Sequence, residues 1–474
     1  MSKKILSSCI ALLFLSGCSL IPEYQQPALP VAQSWPAGVS SPQGFDAQNE
    51  AVVADIGWRE FFRDESLNKL IETALANNRD LRIAALNVET MQAQYRIQRA
   101  NQLPTINAAG QGTSQYMPLD LGGASPNITR AYTVGLSFNA FELDFFGRIR
   151  SLKAQALEQY LATDEARRSA QTLLVSQLAS TYLNLLADYE HLQLAQSTLA
   201  SQTKSYQLVQ KSFSAGVVSE LSVRQAQTSV ESARLDVARY TSIVAQDENM
   251  LRQLVGADIP AELLAPRSLE AVPMRRNLPV GLSSEILLQR PDIRQAEHSL
   301  KAANANIGAA RAAFFPTIAL TASGGTGSSE LSQLFKAGQS MWSFAPQISL
   351  PIFDFGRNSA LLDVAELQRD IGIATYEKAI QAAFTEVANA LADRNTLEEQ
   401  LTAQEALTEA SAASYRLSSA RFTHGVSSYL DVLDAQRSLY AAEQNRITTR
   451  LAQKSNLISL YKALGGGWTD KLLP

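Results

Sequence analysis

The sequence predicts a mainly helical protein with a smaller β part, built as a tandem repeat. Each copy carries one β-hairpin and one long helical hairpin. Three observations predict this. Residues 148–215 and 357–424 are two 68-residue stretches without proline, and they hold a single glycine, Gly372. At 1.5 Å rise per residue each is long enough for a helix of roughly 100 Å. Landmarks recur at near-constant spacing. Phe213, Gly216, Leu221, Ala226 and Gln227 return as Phe422, Gly425, Leu430, Ala435 and Gln436, each 209 residues on. Leu103-Pro104-Thr105-Ile106 returns as Phe315-Pro316-Thr317-Ile318, 212 residues on. Between the helical stretches lie short segments whose polarity alternates with the period of a strand.

In chain order, Lys3 and Lys4 precede a short apolar run over 5–15, too short to span a bilayer. Leu15-Ser16-Gly17-Cys18 then resembles a lipoprotein signal. This resemblance implies a signal peptide over 1–17, lipidation (palmitate among the acyl groups) on Cys18, and sorting to the outer membrane because Ser19 follows. Cys9 leaves with the signal, so no disulfide is expected. Residues 18–57 hold Pro22, Pro27, Pro30, Pro36 and Pro42 and read as an extended tether.

The first repeat is expected over 58–256. Trp58, Phe61, Phe62, Leu67, Leu70, Ile71 and Leu75 open an amphipathic helix, and a second follows from Arg79 to Asn101. Pro104 stops it. A β-hairpin is expected over 103–145, its clearest strand being the alternation Tyr132, Val134, Leu136, Phe138. A helical hairpin follows over 147–255, returning from about Val217. Val223, Ala226, Val230, Ala233, Val237, Tyr240, Val244, Leu251 and Leu254 fall at alternating spacings of three and four, interrupted only by Asp247. That is a heptad seam. A proline-rich connector spans 257–285.

The second repeat is expected over 286–465, with a β-hairpin over 316–354 and a helical hairpin over 356–464, returning from about Val426. Ile318, Leu320 and Ala322 start a strand, 324–329 is expected to turn, and Trp342, Phe344, Ile348, Leu350 and Ile352 suggest the partner. Gly147-Arg148 returns as Gly356-Arg357 209 residues on, which places a shorter hairpin loop in the second copy. Residues 466–474 form a tail.

Composition narrows the function. The chain is 46% hydrophobic but only 7% aromatic, which favours long helices over a dense aromatic core. Its net charge of -4 and lack of a basic stripe argue against nucleic acid. His191, His298 and His424 share no ligand spacing, so no metal site or cofactor is expected. No nucleophile with a base and no phosphate-binding glycine loop stands out, so no enzyme is expected. Strands apolar on one side suit a membrane barrel or a soluble sandwich. Four strands cannot close such a barrel, and an open edge in lipid costs several kcal/mol per unpaired group. Closure therefore requires several chains: two would supply eight strands, three would supply twelve.

The motifs W-R-E-F-F-R-D-E-S-L-N-K-L from Trp58, F-E-L-D-F-F-G-R from Phe141, P-I-F-D-F-G-R from Pro351, the stretch from Phe422 to Arg437, and Y-K-A-L-G-G-G-W from Tyr461 resemble the outer-membrane factors of the TolC/OprM type. The resemblance covers nearly the whole mature chain, and Cys18 sides with its lipidated members. It implies a homotrimer with a 12-stranded outer-membrane β-barrel continued by a periplasmic α-barrel. Its expected role is the exit duct of a multidrug, antibiotic-resistance efflux system. Its partners would be a periplasmic membrane-fusion adaptor, an inner-membrane resistance-nodulation-division transporter and outer-membrane lipid. By motif match, the periplasmic gate falls on Leu430, Asp434 and Arg437. Their spacings of four and three share one helix face, and Asp434 and Arg437 are expected to pair within or between chains. The docking tips fall on Gly216, Val217, Val218, Ser219 and on Gly425, Val426, Ser427, Ser428. Each glycine suits a left-handed helix end, and each final serine suits a helix cap. The competing readings are a lipid-anchored periplasmic coiled-coil scaffold without a pore, and a duct of the same fold for protein secretion or metal-ion export. The alternating hairpins argue against the scaffold.

Overall fold

The computed structural model describes residues 19–35, 53–117, 127–278 and 284–469. The signal segment, Cys18, part of the tether, the first hairpin loop, part of the connector and the last five residues lie outside that set. The helices are α1 (Trp58–Phe61), α2 (Glu65–Asn77), α3 (Arg79–Ala100), α4 (Arg148–Ser214), α5 (Glu220–Val255), α6 (Pro291–Ala312), α7 (Arg357–Thr423) and α8 (Tyr429–Ala463). The strands are β1 (Asn107–Met117), β2 (Asn127–Glu142), β3 (Thr317–Ser328) and β4 (Ser340–Ser349). The chain divides into two compact units, one of residues 1–28, 87–163 and 295–376, the other of residues 29–86, 164–294 and 377–474.

In the first unit the four strands form one antiparallel sheet in the order β1-β2-β3-β4, so β2 and β3 join the two hairpins. The register brings Tyr132, Val134, Leu136 and Phe138 of β2 to one face with Ile318, Leu320 and Ala322 of β3 and Trp342, Phe344 and Ile348 of β4. The other face carries Gln111 and Thr113, Thr133 and Ser137, Thr321 and Ser323, Ser343 and Gln347. One side is thus apolar and the other small and polar, the two-sided pattern of strands between lipid and water.

Two expectations about the strands need correction. The glycine-rich stretch 324–328 is strand, not turn. It stays extended because β2 and β3 approach closely there. A Cβ at Gly325 would lie 2.2 Å from the Val134 carbonyl oxygen, and one at Gly135 would lie 2.6 Å from the Gly324 oxygen. Glycine here marks close backbone approach. Leu350 and Ile352 fall beyond the end of β4. β4 has 10 residues where β2 has 16. β2 also carries a bulge between Phe138 and Phe141. There Ala140 takes φ +49° and its N–H donates to Thr321 Oγ1 at 3.0 Å.

Both long helices start on an aspartate from the repeated motif. Asp144 accepts from the N–H groups of Ile149 (3.0 Å) and Arg150 (2.9 Å), and Asp354 from those of Gly356 (3.0 Å) and Asn358 (2.9 Å). These satisfy donors that a helix N-terminus leaves open. Residues 19–27 run without helix along α6. Asn304 Nδ2 donates to the Pro22 carbonyl at 2.8 Å, and a Cβ at Gly308 would lie 2.6 Å from Ile21 Cγ1. Gln26 Nε2 donates to the Tyr376 hydroxyl at 3.0 Å.

The second unit holds the main core. Trp58, Phe61, Phe62, Leu67, Leu70 and Ile71 are buried. Phe61 stacks on Tyr461 of α8 at 4.0 Å, and the Tyr461 hydroxyl donates to the Ile56 carbonyl at 2.6 Å. Asp64 caps α2 through the Leu67 N–H (2.8 Å) and receives Arg267 of the connector at 2.6 Å. The connector is tied down by the Phe62–Met274 bridge and by Lys454, which donates to the Val272 carbonyl at 2.7 Å. Arg290 is almost wholly buried. It donates to the Ala463 carbonyl at the end of α8 (2.7 Å) and pairs with Asp292 (2.7 Å) and Glu386 (2.9 Å). Gly465 and Gly467 then take φ +83° and +104°, bending the chain so that Trp468 lies under the Arg168 guanidinium at 5.0 Å.

Candidate gate and docking tips

The heptad pattern builds the first hairpin. Ala226, Val230, Ala233, Tyr240, Val244, Leu251 and Leu254 are all buried on α5. Each hairpin then turns in the same way. Gly216 has φ +75°, its N–H donates to the Phe213 carbonyl (2.9 Å), and the Val217 N–H donates to the Ser212 carbonyl (2.9 Å). Gly425, at φ +72°, repeats this with Phe422 (2.9 Å), and Val426 with Arg421 (2.9 Å). Both are Schellman ends, which need a residue that tolerates the left-handed region. The return helices begin at Glu220 and Tyr429, three residues later than the sequence indicates, because the Schellman bonds hold 217–219 and 426–428 out of the helix.

Ser219 and Ser428 occupy the N-cap positions in extended backbone. The Ser219 side chain does not cap its helix; its oxygen lies 3.4 Å from that of Ser222. At Ser428 the backbone N–H donates to Asp431 Oδ2 at 3.1 Å, one half of a capping box.

Just inside the tips the two hairpins share a core. Val209, Ala226, Tyr429, Val432 and Leu433 are buried together, with Tyr206, Val218, Val223, Tyr415 and Phe422 packed around them. Phe422 and Tyr429 lie 5.5 Å apart between ring centroids. Sequence reasoning passed over Tyr206 and Tyr415, although they too stand 209 residues apart.

Leu430, Asp434 and Arg437 all lie on the exposed stripe of α8, opposite the buried Tyr429, Val432, Leu433 and Gln436. Leu430 is 57% exposed. Among the described residues no ion pair joins Asp434 to Arg437, so the expected pairing within one chain is absent. On a straight helix the two side chains extend into solvent and find no buried surface to hold them together. Val217 and Val426 are 76% and 66% exposed, and an added Cβ at Gly216 or Gly425 would meet nothing within 4 Å. Cys18 lies outside the described residues.

One feature was visible only as the break in the heptad seam. Asp247 of α5 meets Asp188 of α4 inside the hairpin, where a protonated Asp188 carboxyl is within hydrogen-bond reach of Asp247. Burial first, then the Asp247 carboxyl, pushes Asp188 up to about 7, against the pull of Arg239. Nearby, His191 stacks on Tyr240 at 5.0 Å, and burial lowers its pKa.

The repeat has an independent counterpart among known proteins. The profile of the family described as outer membrane efflux protein matches twice, over residues 70–257 and 282–466. The chain belongs to that family. It is 51% identical to the solvent efflux pump outer membrane protein SrpC of Pseudomonas putida, over 97% of each chain. It is 45% identical to the cation efflux system protein CusC of Escherichia coli O157:H7, over 98% of this chain and 99% of the relative. Its fold matches the open state of the Neisseria gonorrhoeae MtrE outer membrane channel with a TM-score of 0.86 and 43% identity, over 95% and 99% of the chains. The protein is an outer-membrane efflux channel.

Proposed function

We propose that three copies of this chain form the passive exit duct of a tripartite efflux pump. Small molecules reach it from an inner-membrane resistance-nodulation-division transporter through a periplasmic adaptor. The observation that carries this is the sheet. It has one apolar face, one small and polar face, and unpaired edges on β1 and β4. Three such sheets make twelve strands, and an even number per chain lets every seam be antiparallel. Membership of the efflux family supports the reading, and the lipoprotein-like signal at Cys18 supports an acyl anchor in the outer membrane.

Within this duct, Leu430 narrows the periplasmic mouth, and Asp434 with Arg437 holds it across the boundary between chains. The tips at Gly216, Val217, Val218, Ser219 and at Gly425, Val426, Ser427, Ser428 receive the adaptor. Relatives named for solvent and for cation efflux share the fold, so the cargo follows from the transporter, and drugs and other small apolar molecules are the first class to test. Purified protein from outer-membrane fractions should run as a heat-sensitive trimer and conduct ions in planar bilayers. Deleting it should raise drug susceptibility. A non-conducting monomer on a periplasmic scaffold would sink the proposal.

A further inference from the structure

Arg446, Arg450 and Lys454 of α8 stand four residues apart, so they form one row of cations along the helix. Like charges at that spacing repel, and the row costs stability unless acids stand against it. Arg446 and Arg450 line a cleft of 840 Å³ whose other walls come from residues 189–197 of α4 and 266–268 of the connector. All of these residues belong to the second unit.

The donors in the cleft are only partly used. Arg446 makes no hydrogen bond and no ion pair among the described residues, and its Nε is buried. The Arg450 side chain is 15% exposed, so its guanidinium is largely cut off from water. Its ion pairs among the described residues are long, 3.7 Å to Glu270 and 3.6 Å to Glu405, and both acids face mainly water. Lys454 donates to the carbonyls of Val272 (2.7 Å) and Glu270 (3.3 Å). Burial first, then Arg276, holds its pKa below the ordinary range, and Arg450 adds to this against the pull of Glu270.

The acids and the other cation of the cleft are committed elsewhere. Glu190 accepts from Ser268 Oγ (3.0 Å) and from the Leu269 N–H (2.8 Å). Arg267 is held by Asp64 and by the Tyr182 hydroxyl. Glu443 lines the cleft near Arg446, and among the described residues no ion pair joins the two. Burial raises its pKa against the pull of Arg446, which biases it towards the neutral form. Two guanidinium groups one helical turn apart are thus left with spare donors and little neutralising charge.

A guanidinium binds carboxylate or phosphate through a planar fork, and its charge-assisted bonds are strong where water is scarce. Two such groups on successive turns suit a ligand with two negative charges. The volume of the cleft lies in the range of small-molecule sites and is too large for a bare ion. Leu192 and Ile447 give it apolar wall, and Gln193 and Gln196 add amides from the α4 side.

We infer that the cleft between α4, α8 and the connector binds a small organic dianion, a phosphate ester or a dicarboxylate, on Arg446 and Arg450, with its carbon body against Ile447 and Leu192. This goes beyond the duct reading and does not rest on it, because one chain supplies the whole site. A bound dianion ties the first helical hairpin to the second beneath the connector and removes the repulsion along the α8 row.

Calorimetric titration of the full-length protein, purified in detergent and kept in low salt without phosphate, tests this. Phenyl phosphate and succinate represent the two ligand classes, and inorganic phosphate represents the charge alone. At least one of the first two should bind saturably, one per chain, more tightly than inorganic phosphate, and should raise the melting temperature. R446Q should weaken that binding about tenfold or more, the loss of one charge-assisted contact. Arg446 holds nothing else in the fold, so the melting temperature of unliganded R446Q should equal that of the wild type. R446K, which keeps the charge without the fork, should bind between the two. R369Q, which removes an exposed arginine far along the sequence, should bind as the wild type does. No saturable binding of either organic probe at millimolar concentration overturns the site. Equal binding by wild type, R446Q and R446K overturns its placement in this cleft, and inorganic phosphate binding as tightly as both organic probes overturns the organic ligand.

Discussion

Gly216 and Gly425 separate two roles that a turn glycine can have. An added Cβ meets nothing at either, so alanine costs only the left-handed backbone, about 1–2 kcal/mol each. Asparagine tolerates that region better. Gly425→Asn should therefore keep the melting temperature and the trimer while losing efflux, if the bare backbone is an adaptor contact. Retained drug resistance in that variant would make the glycine purely structural. The Asp188–Asp247 pair makes a second prediction at this scale. The folded-state pKa of Asp188 is raised, so the folded hairpin binds the proton more tightly than the unfolded chain does. Its stabilising effect is complete below the ordinary carboxylate range and is lost as pH rises through about 7. Hydrogen exchange in α5 around Tyr240 to Leu251, corrected for intrinsic rates, should be slower at pH 5 than at pH 8. Asp247→Asn should shrink that difference without abolishing it, because burial, the larger cause, remains. Arg239 and Tyr240, the charged and titratable neighbours of Asp188 beside Asp247, are unchanged in sequence in this variant.

Among the elements, the strand pair β2·β3 and the shared core behind the tips carry the sharpest tests. Gly325→Val puts side-chain atoms where the Val134 carbonyl already lies. It should block the joining of the two hairpins and abolish heat-sensitive trimers, with the long helices still visible by circular dichroism. Leu433 is 1% exposed inside the core that both hairpins share. Leu433→Ala should cost about 3 kcal/mol and speed proteolysis near both tips. Equal protection of the tips in the variant would count against a shared core. The helical elements were legible because their signals are local: long runs without glycine or proline, and apolar residues at heptad spacing. The glycine-rich half of β3 misread as a turn because its reason is a strand nearly 200 residues earlier.

At the scale of the whole molecule, the exposed, unpaired Asp434 and Arg437 matter most. Neither makes an ion pair with the other within the chain, so the double variant D434A/R437A should leave the melting temperature unchanged. If the pair works between chains, single-channel conductance and entry of large antibiotics should both rise. Unchanged conductance would return both residues to a solvated helix face. Tandem architecture and family were both open to reading from one chain. Periodicity, glycine placement and a repeat near 209 residues are properties of sequence neighbours and of copies compared in one string. What only the tertiary structure decided depends on partners remote in sequence: the bulge held by Thr321, the acidic pair that breaks the seam, and the absence of an Asp434–Arg437 bond. Propensity acts over a few residues, whereas register and burial are settled by the segment that comes to lie opposite.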